Sequence, residues 1–330
     1  MTSDLQVRLE LTASPHLKGP DSTLRIMWTV VATLLPLVVA AAWFFGPRAL
    51  GVIGAAMAGA LVTERLFGRR SAIRDGSAVI TGLLLGLTLP AGFPFWMAAF
   101  GGAFGIAFGK LIFGGLGQNV FNPALLGRAF LQAAFPVAIT TWPAGRGVDA
   151  ITAATPLGLM KFEGEFSDTL PLIIGSTGGS LGETAGILIL LCGGYLAWKN
   201  YLNWRIPASI FLTVAVFSGI LFSIDASRYP SPLFMLFSGG LMLGAMYMAT
   251  DTVTSPVTHS GAWIFGFGIG FLVVLIRIWG GLPEGVMYAI LLMNALVPFI
   301  NRATQPRVFG TEGRNVRIFP LRAGAAEAKP

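Results

Sequence analysis

The chain has 330 residues, 54% of them hydrophobic and 11% charged, with a formal net charge of +7 and a mean hydropathy of +0.73. Soluble domains carry roughly a quarter of their residues as charges, so this composition excludes a soluble globular protein and reads as an integral membrane protein. One cysteine, Cys192, and two histidines, His16 and His259, also leave the chain short of ligands for a haem or iron–sulfur cluster of its own.

In chain order, a polar N-terminal segment over 1–25 precedes the first apolar run, and no small-residue cleavage site follows that run, so no cleavable signal peptide is expected. About ten apolar runs near the length needed to cross a bilayer follow. The first five are Ile26–Phe45, Gly51–Leu66, Ser77–Leu89, Phe95–Ile112 and Pro123–Val137. A long polar connection over 138–180 separates them from Leu181–Trp198, Ile206–Ile224, Pro232–Met248, Ala262–Ile278 and Gly285–Ile300, and a basic tail occupies 301–330. The expected fold is therefore an all-α polytopic membrane protein, with a first five-helix unit over 26–137 and a second over 181–300. Ser77–Leu89 before Pro90, and Pro232–Met248 before the polar run Thr250–Pro256, read as short or broken helices, which lipid tolerates only where protein or a cavity satisfies the backbone.

The basic residues set an orientation. Arg8, Lys18 and Arg25 precede the first run; Arg69, Arg70 and Arg74 follow the second; Lys199 and Arg205 lie between the sixth and seventh; Arg302, Arg307, Arg314, Arg317 and Arg322 follow the last. With ten crossings all of these fall on one face, which the positive-inside rule makes cytoplasmic, and the 138–180 connection lies outside. The charge is thus explained by topology, and no nucleic-acid partner is expected. The stretch from Gly114 (Gly-Gly-Leu-Gly-Gln-Asn-Val-Phe-Asn-Pro-Ala-Leu-Leu) is echoed from Gly280 (Gly-Gly-Leu-Pro-Glu-Gly-Val-Met-Tyr-Ala-Ile-Leu-Leu), each before the fifth run of its unit but on opposite faces, the pattern of two inverted repeats.

The outer connection carries Asp149-Ala150-Ile151-Thr152-Ala153-Ala154-Thr155-Pro156. It resembles the acceptor motif of flavin transferases, in which the last hydroxyl, here Thr155, takes FMN through a phosphodiester. The chemistry asks for an accessible hydroxyl flanked by small side chains, and Pro156 keeps Thr155 extended. The same residues also read as a turn or helix start capped by Asp149 or Thr152. Phe93, Phe95, Trp96, Trp142 and Phe162 are candidates to pack on a flavin ring, or to anchor at the membrane boundary. Glu64, Glu183 and Glu284 are candidates for an ion path, since ionisable groups at bilayer depth are costly.

Ser14-Pro15-His16, Asp75-Gly76-Ser77 leading to Thr81-Gly82-Leu83-Leu84, Gly114–Ala124, the acceptor motif, Met248-Ala249-Thr250-Asp251 with Thr254-Ser255-Pro256, and Gly280–Asn294, in that order, resemble the D-type membrane component of the Rnf complex. The B-type component of the sodium-pumping NADH:quinone oxidoreductase is similar but usually carries longer termini. The resemblance implies a bacterial or archaeal cytoplasmic-membrane subunit of a ferredoxin:NAD oxidoreductase that couples electron flow to Na⁺ or H⁺ translocation, with other membrane and redox subunits as partners. It implies covalent FMN on Thr155, attached by a flavin transferase that recognises Asp149, Thr152 and Ala154, with Ala153 where glycine is often found. From the sister family it implies a second, non-covalent riboflavin near Gly117, Asn119 and Asn122, although both asparagines equally suit closing the turn before Pro123. No metal site and no independent catalytic residue are expected. The rival readings are the sodium-pumping B-type component, a channel or transporter without redox role, and a purely structural scaffold for redox subunits.

Overall fold

In the computed structural model, which describes residues 21–68, 75–142, 155–164, 171–172, 178–183 and 186–306, Ser22 opens the first helix by accepting a hydrogen bond from the Arg25 N–H at 3.2 Å. α1 (Thr23–Phe45) ends at Gly46, whose φ of +82° only glycine adopts freely, and α2 (Pro47–Phe67) restarts at once because proline suits the first helical position. The Gly46-Pro47 pair thus makes a tight helical hairpin. α3 (Ser77–Leu87) begins behind Asp75, whose carboxylate accepts from both the backbone N–H and the hydroxyl of Ser77 at 2.8 and 2.6 Å. α4 (Phe95–Ile106) runs on as a π-helical turn, Ala107–Leu111; α5 (Pro123–Ala134) and the short α6 (Pro136–Thr140) follow, parted by Phe135 and Pro136.

The second part begins with a short helix, α7 (Pro156–Gly158), that widens into the π turn Leu159–Glu163. α8 (Gly186–Trp198) and α9 (Arg205–Ile224) come next. α10 (Pro232–Phe237) is broken at Ser238-Gly239-Gly240 from α11 (Leu241–Leu243), which continues as the π turn Gly244–Met248. α12 (His259–Trp279) and α13 (Val286–Thr304) complete the described residues, which contain no strand.

Five helices, α1, α2, α9, α12 and α13, are long and apolar enough to cross a membrane, and α3, α4 with its π turn, and α8 are shorter apolar helices. The remaining two of the ten expected runs differ from the expectation. Pro123–Val137 stops at Ala134, where Pro136 cannot continue the helix, and Pro232–Met248 is not one helix but two pieces around a glycine pair. The molecule is a multi-pass helical membrane protein. Many large apolar side chains face outward, as Val39, Trp43, Phe67 and Trp198 do at 68, 70, 77 and 77% exposure, while Leu34, Leu85, Phe93 and Phe265 are buried in the core and small residues make the closest helix contacts.

Those small residues set the packing. On the α2–α4 seam a Cβ at Gly59 would overlap the Ala99 carbonyl oxygen and one at Gly102 that of Ala56, so the two backbones approach as only glycine allows. α9 and α12 meet in the same way, with Gly266 and Gly270 against the Ile206 and Ile210 carbonyls. The end of α3 is tied to the connection before α8: Leu181 and Gly182 donate their N–H groups to the carbonyls of Leu89 and Leu87 at 3.1 and 2.6 Å. That tie brings residues 178–183 beside α7 and the break between α10 and α11.

Candidate functional site

Thr155 is the N-cap of α7. Its backbone is extended (φ −70°, ψ 151°), as the following proline dictates, and its hydroxyl oxygen accepts the Gly158 N–H at 3.1 Å. The structure therefore makes Thr155 itself an N-cap and leaves the residue only 7% exposed, in place of the accessible hydroxyl that the motif suggests. Thr155 nevertheless borders a cavity of about 520 Å³ whose wall includes Arg128, Trp142, Phe162, Glu284 and Tyr288. Trp142 and Phe162 are thus where a ring-packing role requires, whereas Phe93 is buried in the core and Phe95 and Trp96 lie outward on α4. Asp149, Thr152 and Ala154 lie outside the described residues.

Around this cavity the charges are paired. Arg128, 6% exposed, holds the Glu284 carboxylate at 2.5 Å and donates to the Thr88 carbonyl, so one guanidinium joins α5, the end of α3 and the loop before α13. Arg277 is fully buried and donates to the carbonyls of Met235 and Ser238 at 2.6 and 2.8 Å, which satisfies the exposed end of α10 at the break. Lys161 in turn donates to the carbonyls of Ile276 and Arg277 at the end of α12, the end of a helix dipole that favours a cation. Desolvation lowers the Lys161 ammonium below its ordinary value.

A second polar region lies at the far end of α5. Glu64, buried in α2, pairs with Lys110 in the π turn of α4; Lys110 also meets the Ser77 hydroxyl and lies 3.7 Å from Asp75. Nearby, Asn122 caps α5, its carbonyl oxygen accepting from Ala124 and Leu125 at 3.0 and 3.3 Å, while its amide donates to the Met248 carbonyl at 3.1 Å. Asn294, with its amide turned to satisfy both neighbours, accepts the Asn122 N–H and donates to the Thr254 carbonyl, each at 3.2 Å. Asn119 donates to the Phe121 carbonyl at 3.4 Å and lines the same space as Asp251.

Asn119 and Asn122 border a cavity of about 110 Å³ between α3, α5 and the end of α11, but Gly117 does not: its φ of +90° explains the glycine. The structure thus brings two of the three residues expected at a second flavin together, with the Asn122 amide already committed. The cavity is smaller than the ~300–1,000 Å³ usual for ligand pockets.

Lys110, Arg128 and Arg277 belong to no motif that the sequence singles out, yet they organise both polar regions. Each is the only cation in its apolar run, which is the signal that an intramembrane charge is paired and purposeful.

These features define a class: a polytopic helical membrane protein with broken short helices, buried ion pairs at two levels, and an anchored threonine beside a ligand-sized cavity. The chain belongs to the NQR2, RnfD, RnfE family, whose model matches residues 10–310. It is 44% identical to the D component of the proton-translocating ferredoxin:NAD(+) oxidoreductase complex of Clostridium ljungdahlii, over 91% of this chain and 96% of that one. It is 40% identical to the D component of the Na(+)-translocating ferredoxin:NAD(+) oxidoreductase complex of Acetobacterium woodii, over 92% and 96%, and 41% identical to the D component of the ion-translocating oxidoreductase complex of Stutzerimonas stutzeri, over 90% and 94%.

Proposed function

We propose that this chain is the D-type membrane component of an ion-translocating ferredoxin:NAD(+) oxidoreductase complex and that Thr155 carries FMN through a phosphodiester. The observation that carries the reading is the Thr155 hydroxyl at the wall of a 520 Å³ cavity, a volume in the range of cofactor pockets. The lining fits the group. Arg128 supplies a guanidinium for an anionic phosphodiester, and Trp142, Phe162 and Tyr288 supply apolar faces for a planar ring. A flavin held there supplies electron carriage between neighbouring redox subunits. The chain's part is positional: α7 fixes the anchoring oxygen, Arg128 is held by Glu284 and the Thr88 carbonyl, and the aromatic walls shape the space. A flavin transferase must reach a nearly buried hydroxyl, through the cavity or before α7 docks.

The same reading takes the helices as two inverted five-helix units with cytoplasmic termini and the Thr155 cavity outside. Two parallels support it. The second and fourth helices of each unit, α2 with α4 and α9 with α12, pack through glycines, and the third element of each, α3 and the α10–α11 pair, is short or broken.

The test is intact-mass measurement of the purified chain together with flavin fluorescence after denaturation. One FMN-sized increment on the peptide containing Thr155, lost completely in Thr155→Ala, is expected. An unmodified native chain, or an adduct that survives Thr155→Ala, overturns the assignment.

A further inference from the structure

Three of the four buried side-chain atoms without a hydrogen-bond partner among the described residues, Glu183 Oε1, Ser238 Oγ and Arg277 Nε, belong to residues gathered at the α10–α11 break. The break is their common neighbour. A Cβ at Gly240 would lie 3.6 Å from Glu183 Oε1, and one at Gly239 would lie 3.2 Å from an Arg277 nitrogen and 3.9 Å from Glu284 Cγ. A small space of about 10 Å³ sits here, bordered by Thr155, Gly178, Glu183, Gly239 and Glu284, about the space that one water fills. Thr155 and Glu284 also border the 520 Å³ cavity, so the two spaces adjoin at these residues.

Glu183 and Glu284 line the same 10 Å³ space, and Glu183 Oε1 is buried without a hydrogen-bond partner among the described residues. Across so small a space two ionised carboxylates, acceptors only, repel each other, whereas one proton makes either of them a donor to the other. The charged groups on the surrounding elements are Arg128 from α5, Arg277 from α12, and Lys161 and Glu163 from α7. With both carboxyls ionised, Arg128 and Arg277 balance Glu183 and Glu284 and the four-residue cluster is neutral; with one proton bound it carries one positive charge. Neither state leaves an unanswered negative charge in the interior, which is what a group that gains and loses a proton in place requires.

We propose that Glu183 and Glu284 form a proton-binding site, holding one proton between their carboxyls and exchanging it with water of the outer cavity past Thr155. Release breaks one carboxyl O–H bond, passes the proton to water as hydronium and leaves two carboxylates facing two guanidiniums; uptake is the reverse. No electron moves in either step. The site uses no atom of a flavin on Thr155 and so does not rest on that assignment.

Infrared difference spectra of the purified complex between alkaline and acid pH test it. A protonated-carboxyl band that shifts with ¹³C-glutamate labelling is expected in the native protein and is expected to vanish in Glu183→Gln. Glu284→Gln removes the like-charged partner and is expected to move the titration midpoint of the remaining carboxyl down by about one pH unit or more. Should Glu183→Gln fail to assemble, Glu183→Asp, which draws the carboxyl back by one methylene, is expected to keep a band but titrate at lower pH. A native spectrum without a glutamate-sensitive band, a band that persists in Glu183→Gln, or a midpoint unchanged in Glu284→Gln or Glu183→Asp overturns the proposal.

Discussion

Lys110 and Arg277 sit at matching places, each near the end of a long apolar run and just before a Gly-Gly-Leu, yet they are satisfied in different ways. Lys110 meets side chains, Glu64, Ser77 and Asp75, all from the N-terminal half of the chain. Arg277 meets two backbone carbonyls at a helix break, and the ion pair beside it, Arg128 to Glu284, joins residues 156 apart in sequence. The chemistry of the two cations suits the two tasks. An ammonium is a compact charge with three donors for a cage of oxygens, whereas a guanidinium is a planar fork that spans two fixed acceptors. The first cluster therefore locks the helices of one half together, and the second braces a break and the seam between halves, where the Thr155 cavity lies. Both clusters border a cavity, Lys110 one of about 110 Å³ and Arg128 one of about 520 Å³, and the second space is the one in the size range of ligand pockets.

The largest stability effect is expected where the pairing is most enclosed. Lys110→Met leaves the fully buried Glu64 without its cation and deprives Asp75 of a neighbour, so a loss of about 3–5 kcal/mol is expected, the cost of stranding one partner of a buried pair. Adding Glu64→Gln to Lys110→Met is expected to recover most of it, since the pair itself contributes little net stability. Thermal unfolding of the four proteins of this double-mutant cycle measures the coupling; additive losses would show that Lys110 is not answering Glu64, and the contrast between the clusters would fall.

A smaller effect is expected at Arg277. Lys in its place keeps the charge but reaches two separated carbonyls less well, so Arg277→Lys is expected to cost about 1.5–3 kcal/mol, the value of a hydrogen bond to a charged group. The loss should concentrate at the α10–α11 break and appear as faster amide exchange over 234–241. Unchanged exchange there would mean that the break holds without the fork.

How much of this is readable in the sequence follows from the range of each interaction. Ile206–Ile224 and Ala262–Ile278 match α9 and α12 to within a few residues, because a run of apolar side chains is a local property. The stop of α5 before Pro136 and the break at Gly239-Gly240 are written locally too, but only the Arg277 fork, about 40 residues away, lets a broken helix end be buried. Lys110, Arg128 and Arg277 are visible as lone cations; their partners are not, since those lie from 39 to 156 positions distant apart from the nearer oxygens around Lys110. Thr155 is legible as a motif, and its near burial is not, because the walls around it come from α5 and the loop before α13.

The smallest effect is expected at Asn122, which joins the halves with neutral groups. Its carbonyl oxygen caps α5 and its amide bridges to Met248, at the end of α11. Serine is also a good N-cap but has no amide to reach across, so the two roles separate in a pair of variants. Asn122→Ser is expected to cost about 0.5–1.5 kcal/mol, the net value of one hydrogen bond, and Asn122→Ala about 1 kcal/mol more, through the lost cap. If the two variants unfold at the same temperature, the cap is worthless and the bridge to Met248 carries the residue. If Asn122→Ser is as stable as the native chain, the amide bridge to Met248 adds nothing to the seam, and the division of labour between the charged joint and this neutral one is gone.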